Sequence, residues 1–150
     1  MIEVRQGSLA DNIDHMDALF TANWQETGFD FPLQLDKERY KQFEALGILV
    51  IVGAFDGDRV VGYSLASVLP HPFNPNVIFC NSDVLFLLKE YRNTSAGARL
   101  MAETKREAKR RGAHKVFWHA RGNTEFAEML RNRNLHLADE VFMEDISHGS

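Results

Sequence analysis

The strongest constraint on the fold lies in mid-chain, where an apolar run passes directly into a helix-forming stretch. Residues 83–101 read Asp83-Val-Leu-Phe-Leu-Leu-Lys-Glu-Tyr-Arg-Asn-Thr-Ser-Ala-Gly-Ala-Arg-Leu-Met101. Val84 to Leu88 predicts a buried strand, Lys89 to Ser95 a polar turn, and the residues beyond it a helix. Such a junction leaves the first helical N–H groups unpaired at the positive end of the helix dipole, which suits an anion. Arg92 and Arg99 bracket that start, and Gly97 lets a ligand approach the backbone. A polar helix start with two solvated arginines is the blander reading of the same residues.

At 150 residues, with 45% hydrophobic and 25% charged side chains, the composition is that of one globular domain with a sizeable core. It spans 1–147, with 148–150 as a tail whose Gly149-Ser150 is of the kind cloning leaves behind. The 17 basic and 21 acidic residues give a net charge of −4, which argues against bulk nucleic-acid binding. Cys80 is the single cysteine, so a disulfide within the chain, a cysteine-rich zinc site and a CxxC pair are excluded. The histidines show no ligand spacing, and no metal site is expected. No apolar run approaches the roughly 20 residues of a membrane span, and Met1-Ile-Glu-Val-Arg lacks the apolar core of a signal peptide. An intracellular, cytoplasmic protein with no membrane partner is the expectation.

In chain order, Ile2 to Arg5 alternates as a short strand. Ser8 or Asp11 can cap a helix in which Ile13, Met16, Phe20 and Trp24 recur at helical spacing, ending at Gly28. Pro32 makes 29–35 a loop, and Asp36 caps a second helix closed by Gly47. Ile48 to Phe55 is a β-branched strand, Asp56-Gly57 a hairpin turn with positive φ at both central residues, and Arg59 to Leu69 the return strand. Three prolines predict a loop over Leu69–Asn76. Val77 to Leu88 is extended, and the polar Asn81-Ser-Asp83 within it indicates a bulge or a functional bend. A helix over Ser95–Arg111, a strand over Lys115–Ala120, a helix starting at 122–124 and one or two extended segments over Leu135–Ile146 complete the chain. The order is β-α-α-β-β-β-α-β-α-β(β), an antiparallel hairpin followed by a βαβ unit of parallel strands.

That order, with that turn, resembles the GNAT superfamily of acyl-CoA-dependent N-acyltransferases. The superfamily's pyrophosphate loop, (Gln/Arg)-x-x-Gly-x-(Gly/Ala), is matched by Arg92-Asn-Thr-Ser95-Ala-Gly97, with Ser95 at the first glycine. Glu90-Tyr-Arg92 is similar to the common Pro-Glu-Tyr-Arg, with Lys89 at the proline. A second motif, Asn-x-x-Ala-x-x-x-Tyr, is met by Asn123, with Phe126 at the alanine and Leu130 at the tyrosine. Asp83-Val-Leu-Phe-Leu, Glu90-Tyr-Arg92, His119 and Glu125-Phe126 are also similar to a phage- and prophage-encoded group of GNAT-like proteins.

The resemblance implies an α/β (α+β) domain of the acyl-CoA N-acyltransferase fold, a mixed central sheet of about six or seven strands with helices on both faces. It implies an enzyme that moves an acetyl group from acetyl-CoA, its co-substrate, to an amine on a small molecule or protein by direct attack. Arg92 and the N–H groups of Asn93, Thr94, Ser95, Ala96, Gly97 and Ala98 would hold the CoA phosphates. The strand at Leu85, Phe86 and Leu87, splayed from the strand over Lys115–Ala120, would pair with the pantetheine and donate to the oxyanion near Leu87. Asn123 and Phe126 complete the cofactor contacts.

Asp83 ends a polar interruption where the acyl group should lie. It is either a general base of raised pKa, direct or through water, or the partner of a bulged backbone. His119 is base, acid or structural. Leu130 cannot protonate a thiolate, so water or another group does so, or the chain is a binding or structural module on the same fold. Cys80 has no indicated His partner, so no covalent intermediate is expected. The acceptor is expected between the first two helices and the 70–76 loop. There Glu26, Asp30, Asp36 and Glu38 supply charge, and Trp24, Phe29 and Phe31 supply aromatic faces. Lys105, Arg106, Lys109, Arg110 and Arg111 read as an exposed helix face rather than a nucleic-acid patch. A homodimer is compatible with all of this.

Overall fold

The structure, a computed structural model, describes residues 1–7 and 9–147. Ser8, one of the two cap candidates, and Gly149-Ser150 lie outside the described residues. The chain forms two compact units, Met1–His119 and Ala120–Ser150.

The first unit is built on a five-stranded sheet in sequential order: β1 (Ile2–Gln6), β2 (Leu49–Asp56), β3 (Arg59–His71), β4 (Asn74–Leu87) and β5 (Lys115–Trp118). The first three pairings are antiparallel, and β4 pairs with β5 in parallel. Parallel neighbours need a crossover, and α4 (Ala96–Arg110) supplies it. β2 is buried along all but its last residue because both its faces are covered. Leu49 and Ile51 join Tyr63, Leu65 and Phe86 in a core with Ile13, Met16, Leu19 and Phe20. Val50, Val52 and Ala54 join Val61, Cys80 and Leu87 in a core with Ala96, Leu100 and Ala108 of α4. The helices before β2 thus cover one face of the sheet and α4 the other.

Those first helices are α1 (Leu9–Asn12), a 3-10 turn at Ile13–His15, α2 (Asp17–Thr27) and α3 (Lys37–Ala45). The single first helix expected to end at Gly28 is broken at Met16. Its N–H bonds back to Ile13 O at 3.2 Å, and its φ of −98° and ψ of 1° leave the helical region. Asp36 caps α3 as expected, accepting from the Arg39 N–H at 3.0 Å.

α4 is tied to the sheet through Glu107, which is 4% exposed. Its carboxylate accepts from Gln6 Nε2 at 3.2 Å and Arg111 Nε at 3.1 Å, and pairs with Arg110. Arg111 also donates to the carbonyls of Gly47 and Leu49. With Arg106 paired to Glu103, three of the five cations in the basic run are matched by carboxylates of their own helix. No helix among the described residues is long and apolar enough to cross a membrane.

Three sequence expectations are corrected. The segment Leu135–Ile146 forms no strand, so the sheet has five strands rather than six or seven. An apolar pattern becomes a strand only where a neighbouring edge takes its backbone bonds. Here Leu137, Val141, Phe142, Met143 and Ile146 are exposed instead. The proline-rich stretch 69–76 is not a loop: β3 runs to His71 and β4 starts at Asn74, so only the tip lies outside the strands. Pro70 and Pro75 sit at the end of the hairpin, where the ladder is already irregular and a missing N–H matters least. The β2–β3 turn is centred on Gly57-Asp58, one residue later than expected, and Gly57 takes the positive φ, 62°.

Gly62 of β3 faces Leu87 of β4 with no room for a side chain. A Cβ there would lie 2.8 Å from Phe86 O and 2.6 Å from Leu87 Cδ1. Gly62→Ala is expected to destabilise the protein by about 1–3 kcal/mol in urea unfolding. An unchanged midpoint would show that the two strands separate freely at this point.

Candidate functional site

The site begins with a count of residues. On β3, Leu65 and Ala66 are adjacent; on β4 their partners are Val84 and Ser82. Asp83 is therefore the extra residue of a β-bulge, as the polar interruption predicted. The bulge reverses which side chains face which layer. Cys80 packs in the α4 core, whereas Val84 and Phe86 pack with the first helices and Leu85 and Leu87 with α4.

The β4–β5 ladder ends at the same point. Its rungs run from Phe79↔Lys115 to Ser82↔Trp118 and stop, so from Asp83 onward the edge of β4 turned to β5 is open. The backbone direction there follows from one bond. Leu88 N–H donates to Val61 O at 3.0 Å, which makes Leu87↔Gly62 a non-hydrogen-bonded pair. The N–H and C=O of Leu87, and of Leu85 two residues before it, therefore point away from β3 to the open edge. Leu87 O accepts from Arg92 Nε at 2.7 Å on that side. Phe86, by contrast, is 5% exposed and its ring lies 6.0 Å from Tyr63.

Beyond β4 a 3-10 turn (Lys89–Tyr91) leads into α4. Tyr91 anchors it by donating to Asp56 Oδ2 at 2.7 Å. Thr94 Oγ1 accepts from the Ala96 N–H at 3.2 Å, and the first intrahelical bond is Arg99 N–H to Ser95 O. Ser95, at the cap position, makes no side-chain cap bond. The Gly97 and Ala98 N–H groups therefore precede the first intrahelical bond without a cap. A Cβ on Gly97 would meet nothing within 4 Å, so open space lies where a side chain there would project. Both arginines have partners within the fold. Arg92 Nη2 pairs with Glu26 at 2.7 Å, with its guanidinium carbon 5.5 Å above the Phe86 ring. Arg99 donates to Ile2 O at 2.7 Å and is committed to β1.

Asp83 is exposed as a residue. Partial burial pushes its carboxyl above the ordinary 3.8, while the charge of His119 and the polar side chain of Ser67 oppose the shift. Tyr40 of α3 shares this environment: burial, and then the charge of Asp83, push its phenol upward. Asp83, His119, Ser67 and Tyr40 thus converge from β4, the end of β5, β3 and α3. Tyr40 was read only as a helix-face residue. Ser67, a polar residue in an apolar strand, carried a signal for its role, but its partner is defined only by the bulge. Cys80, fully buried, has its thiol pushed up to about 11 by burial, with Asp83 adding and Arg111 opposing.

The expected acceptor acids are largely engaged. Glu26 pairs with Arg92, Asp36 caps α3, and Glu38 pairs with Lys41 at 3.4 Å. Phe29 and Phe31 stack on each other at 4.7 Å. In the second unit, Asn123 takes a left-handed φ of 62°, and Thr124 caps α5 (Glu125–Arg131) by accepting from the Ala127 N–H at 3.2 Å. Phe126 and Leu130 are half-buried on α5.

A family model described as Acetyltransferase (GNAT) family matches residues 14–131. Among solved structures, a predicted acetyltransferase with acetyl-CoA from Clostridium acetobutylicum superposes with a TM-score of 0.80, at 14% identity over 100% of both chains. An aminoglycoside acetyltransferase from an uncultured soil metagenomic sample, in complex with sisomicin, gives 0.73 at 16% identity over 98% of this chain and 95% of that one. A ribosomal-protein-alanine N-acetyltransferase from Brucella melitensis gives 0.72 at 16% identity, covering 97% and 98%. At these identities the likeness is one of fold. No curated protein matches the sequence.

Because burial raises the Asp83 pKa, the folded chain holds that proton more tightly than the unfolded chain. The charged carboxylate then costs stability as pH rises through its folded pKa, and Asp83→Asn removes the cost. The unfolding temperature of the variant, relative to the parent, is expected to climb as pH rises from about 4, the ordinary carboxylate value, through the raised folded one. A relative fall over that window would mean that Ser67 and His119 stabilise the carboxylate by more than burial opposes it.

Proposed function

The chain belongs to the acetyltransferase (GNAT) family, and we propose that it transfers an acetyl group from acetyl-CoA to an amine by direct attack. The observation that carries this reading is the open edge of β4 immediately before an uncapped helix start. Backbone groups of Leu85 and Leu87 face the open side, and the Gly97 and Ala98 N–H groups lie one turn of chain further on. An extended amide-bearing arm ending in phosphates fits that combination: the strand edge pairs with the amides, and the helix start takes the anion. The loop from Asn93 to Ala98 is the phosphate cradle in this reading. Arg92 contributes by holding Leu87 O and Glu26 rather than by reaching into the cradle.

Acetyl-CoA supplies the acetyl thioester. The amine nitrogen attacks its carbonyl carbon, the N–C bond forms and the C–S bond breaks. The Leu87 N–H stabilises the oxygen on which charge develops. Asp83, with its raised pKa, takes the ammonium proton directly or through a water, and His119 and Ser67 hold the carboxylate in place. The thiolate takes its proton from solvent, since Leu130 has none to give. A buried Cys80 thiol with a pKa of about 11 supports a route without a covalent enzyme intermediate. The motifs at 83–87 and 90–92 support a cytoplasmic member of the phage and prophage type.

Titration calorimetry with acetyl-CoA tests the cradle. Gly97→Asp has room for its side chain and suits the helix dipole, so it is expected to fold with undiminished stability and to bind acetyl-CoA about tenfold or more weakly. Unchanged affinity would remove the loop from the site. Asp83→Asn is expected to keep acetyl-CoA affinity and to lower kcat for thiol release by about a hundredfold. If acetyl-CoA binds but no thiol is released across a panel of amines, the chain is a binding module on this fold.

A further inference from the structure

The face of the sheet that carries Asp83 continues past the bulge into a line of rings. Residues paired across adjacent strands share a face, so the registers Leu69↔Phe79 and Asn81↔Phe117 put Phe79 and Phe117 together on one side. Ser67, paired with Asn81, is on that side and is one of the groups that hold the Asp83 pKa down. The Phe79 and Phe117 ring centroids are 4.8 Å apart and tilted by 60°, and His71 lies 4.7 Å from Phe79. All three are only half-buried, and neither phenylalanine joins either core cluster. Two tilted rings open to solvent form a corner into which a third ring can pack, offset on one and edge-on to the other.

Spacing and charge limit what fits. At about 3.3 Å per strand residue and about 4.8 Å between strands, Phe117, level with Asn81 on the neighbouring strand, stands about 8 Å from Asp83. That is the reach of a short alkyl chain between an amine and a ring. Asp83 is the carboxylate at one end, and Lys115, level with Phe79 on the same face, is a cation at the other. One ammonium at Asp83 is matched, whereas a second positive charge over the rings meets Lys115. The expected acceptor wall at the first two helices has most of its acids already paired, so it offers a polycation little.

We propose that the acceptor is an aromatic monoamine, its ring on the shelf of His71, Phe79 and Phe117 and its nitrogen at Asp83. The proposal rests on the acetyl-transfer reading above and adds the substrate class to it.

The test is steady-state thiol release from acetyl-CoA with 2-phenylethylamine, n-butylamine, spermidine and glucosamine, run beside calorimetric binding of acetyl-CoA alone. 2-Phenylethylamine is expected to exceed the other three by at least about tenfold in kcat/KM. Phe117→Ala is expected to raise its KM about tenfold, with acetyl-CoA affinity unchanged and Phe117→Tyr restoring most of the loss. If Phe117→Ala fails to fold, His71→Ala at the hairpin end gives the same readout. Preference for spermidine or glucosamine, or equal use of butylamine, overturns the proposal and leaves acetyl transfer standing. Failure to bind acetyl-CoA overturns both. A dimer in light scattering that Phe117→Ala dissociates assigns the shelf to a second copy and overturns the aromatic acceptor.

Discussion

Between Ser82 and Val84, β4 carries one residue more than its β3 partner, and most of what is distinctive in this protein depends on that count. A strand shows alternate side chains to opposite faces, so one inserted residue exchanges the faces from there on. Before the insertion, Cys80 fills the α4 core. After it, Leu85 and Leu87 do so, while Val84 and Phe86 turn to the helices at the other face. The inserted residue belongs to neither ladder, which leaves its side chain available for chemistry. The pairing with β5 stops at the same rung, so the bulge carboxylate stands at the mouth of an opened strand edge.

The second requirement is that a helix start be held beside that edge. α4 cannot rotate freely because Glu107, buried near its C-terminal end, is tied to β1 through Gln6, and Arg111 to the carbonyls at the start of β2. A buried carboxylate is stable only when its charge and lone pairs are satisfied, and here a side-chain amide and two arginines satisfy it. Near the N-terminal end, Arg99 holds Ile2 O and Tyr91 holds Asp56. With both ends tied, the unpaired N–H groups at Gly97 and Ala98 remain in one place, which lowers the entropy lost when an anion binds.

Much of this was legible in the residues. The strand, turn and helix over 83–101 are local events, governed by apolar run length, polar punctuation and helix propensity, and they fall within a residue or two of the expected bounds. The bulge was legible too, because Asn81-Ser-Asp83 breaks an apolar run that otherwise has no reason to stop. What failed was non-local. Leu135–Ile146 has strand composition but no ladder. The proline-rich 69–76 stretch is mostly strand because Ile78 and Asn74 pair across from it. The pairing of Arg92 with Glu26, a residue 66 positions away, was not legible in the sequence either. Tyr40 and Ser67 reach Asp83 only once α3 and β3 are docked.

The sequence by itself determined the succession of strands and helices from the β2–β3 hairpin to α5, the helix start after a buried strand, the bulge and the family resemblance. Each depends on the chemistry of neighbours along the chain. Only the tertiary structure decided where the β4–β5 ladder ends, which backbone groups face the opened edge, which charges meet Asp83 and which rings line the face beside it. Those depend on register and on pairings between distant residues. A shift of one residue in register turns every side chain to the opposite face while leaving the local pattern of the sequence unchanged.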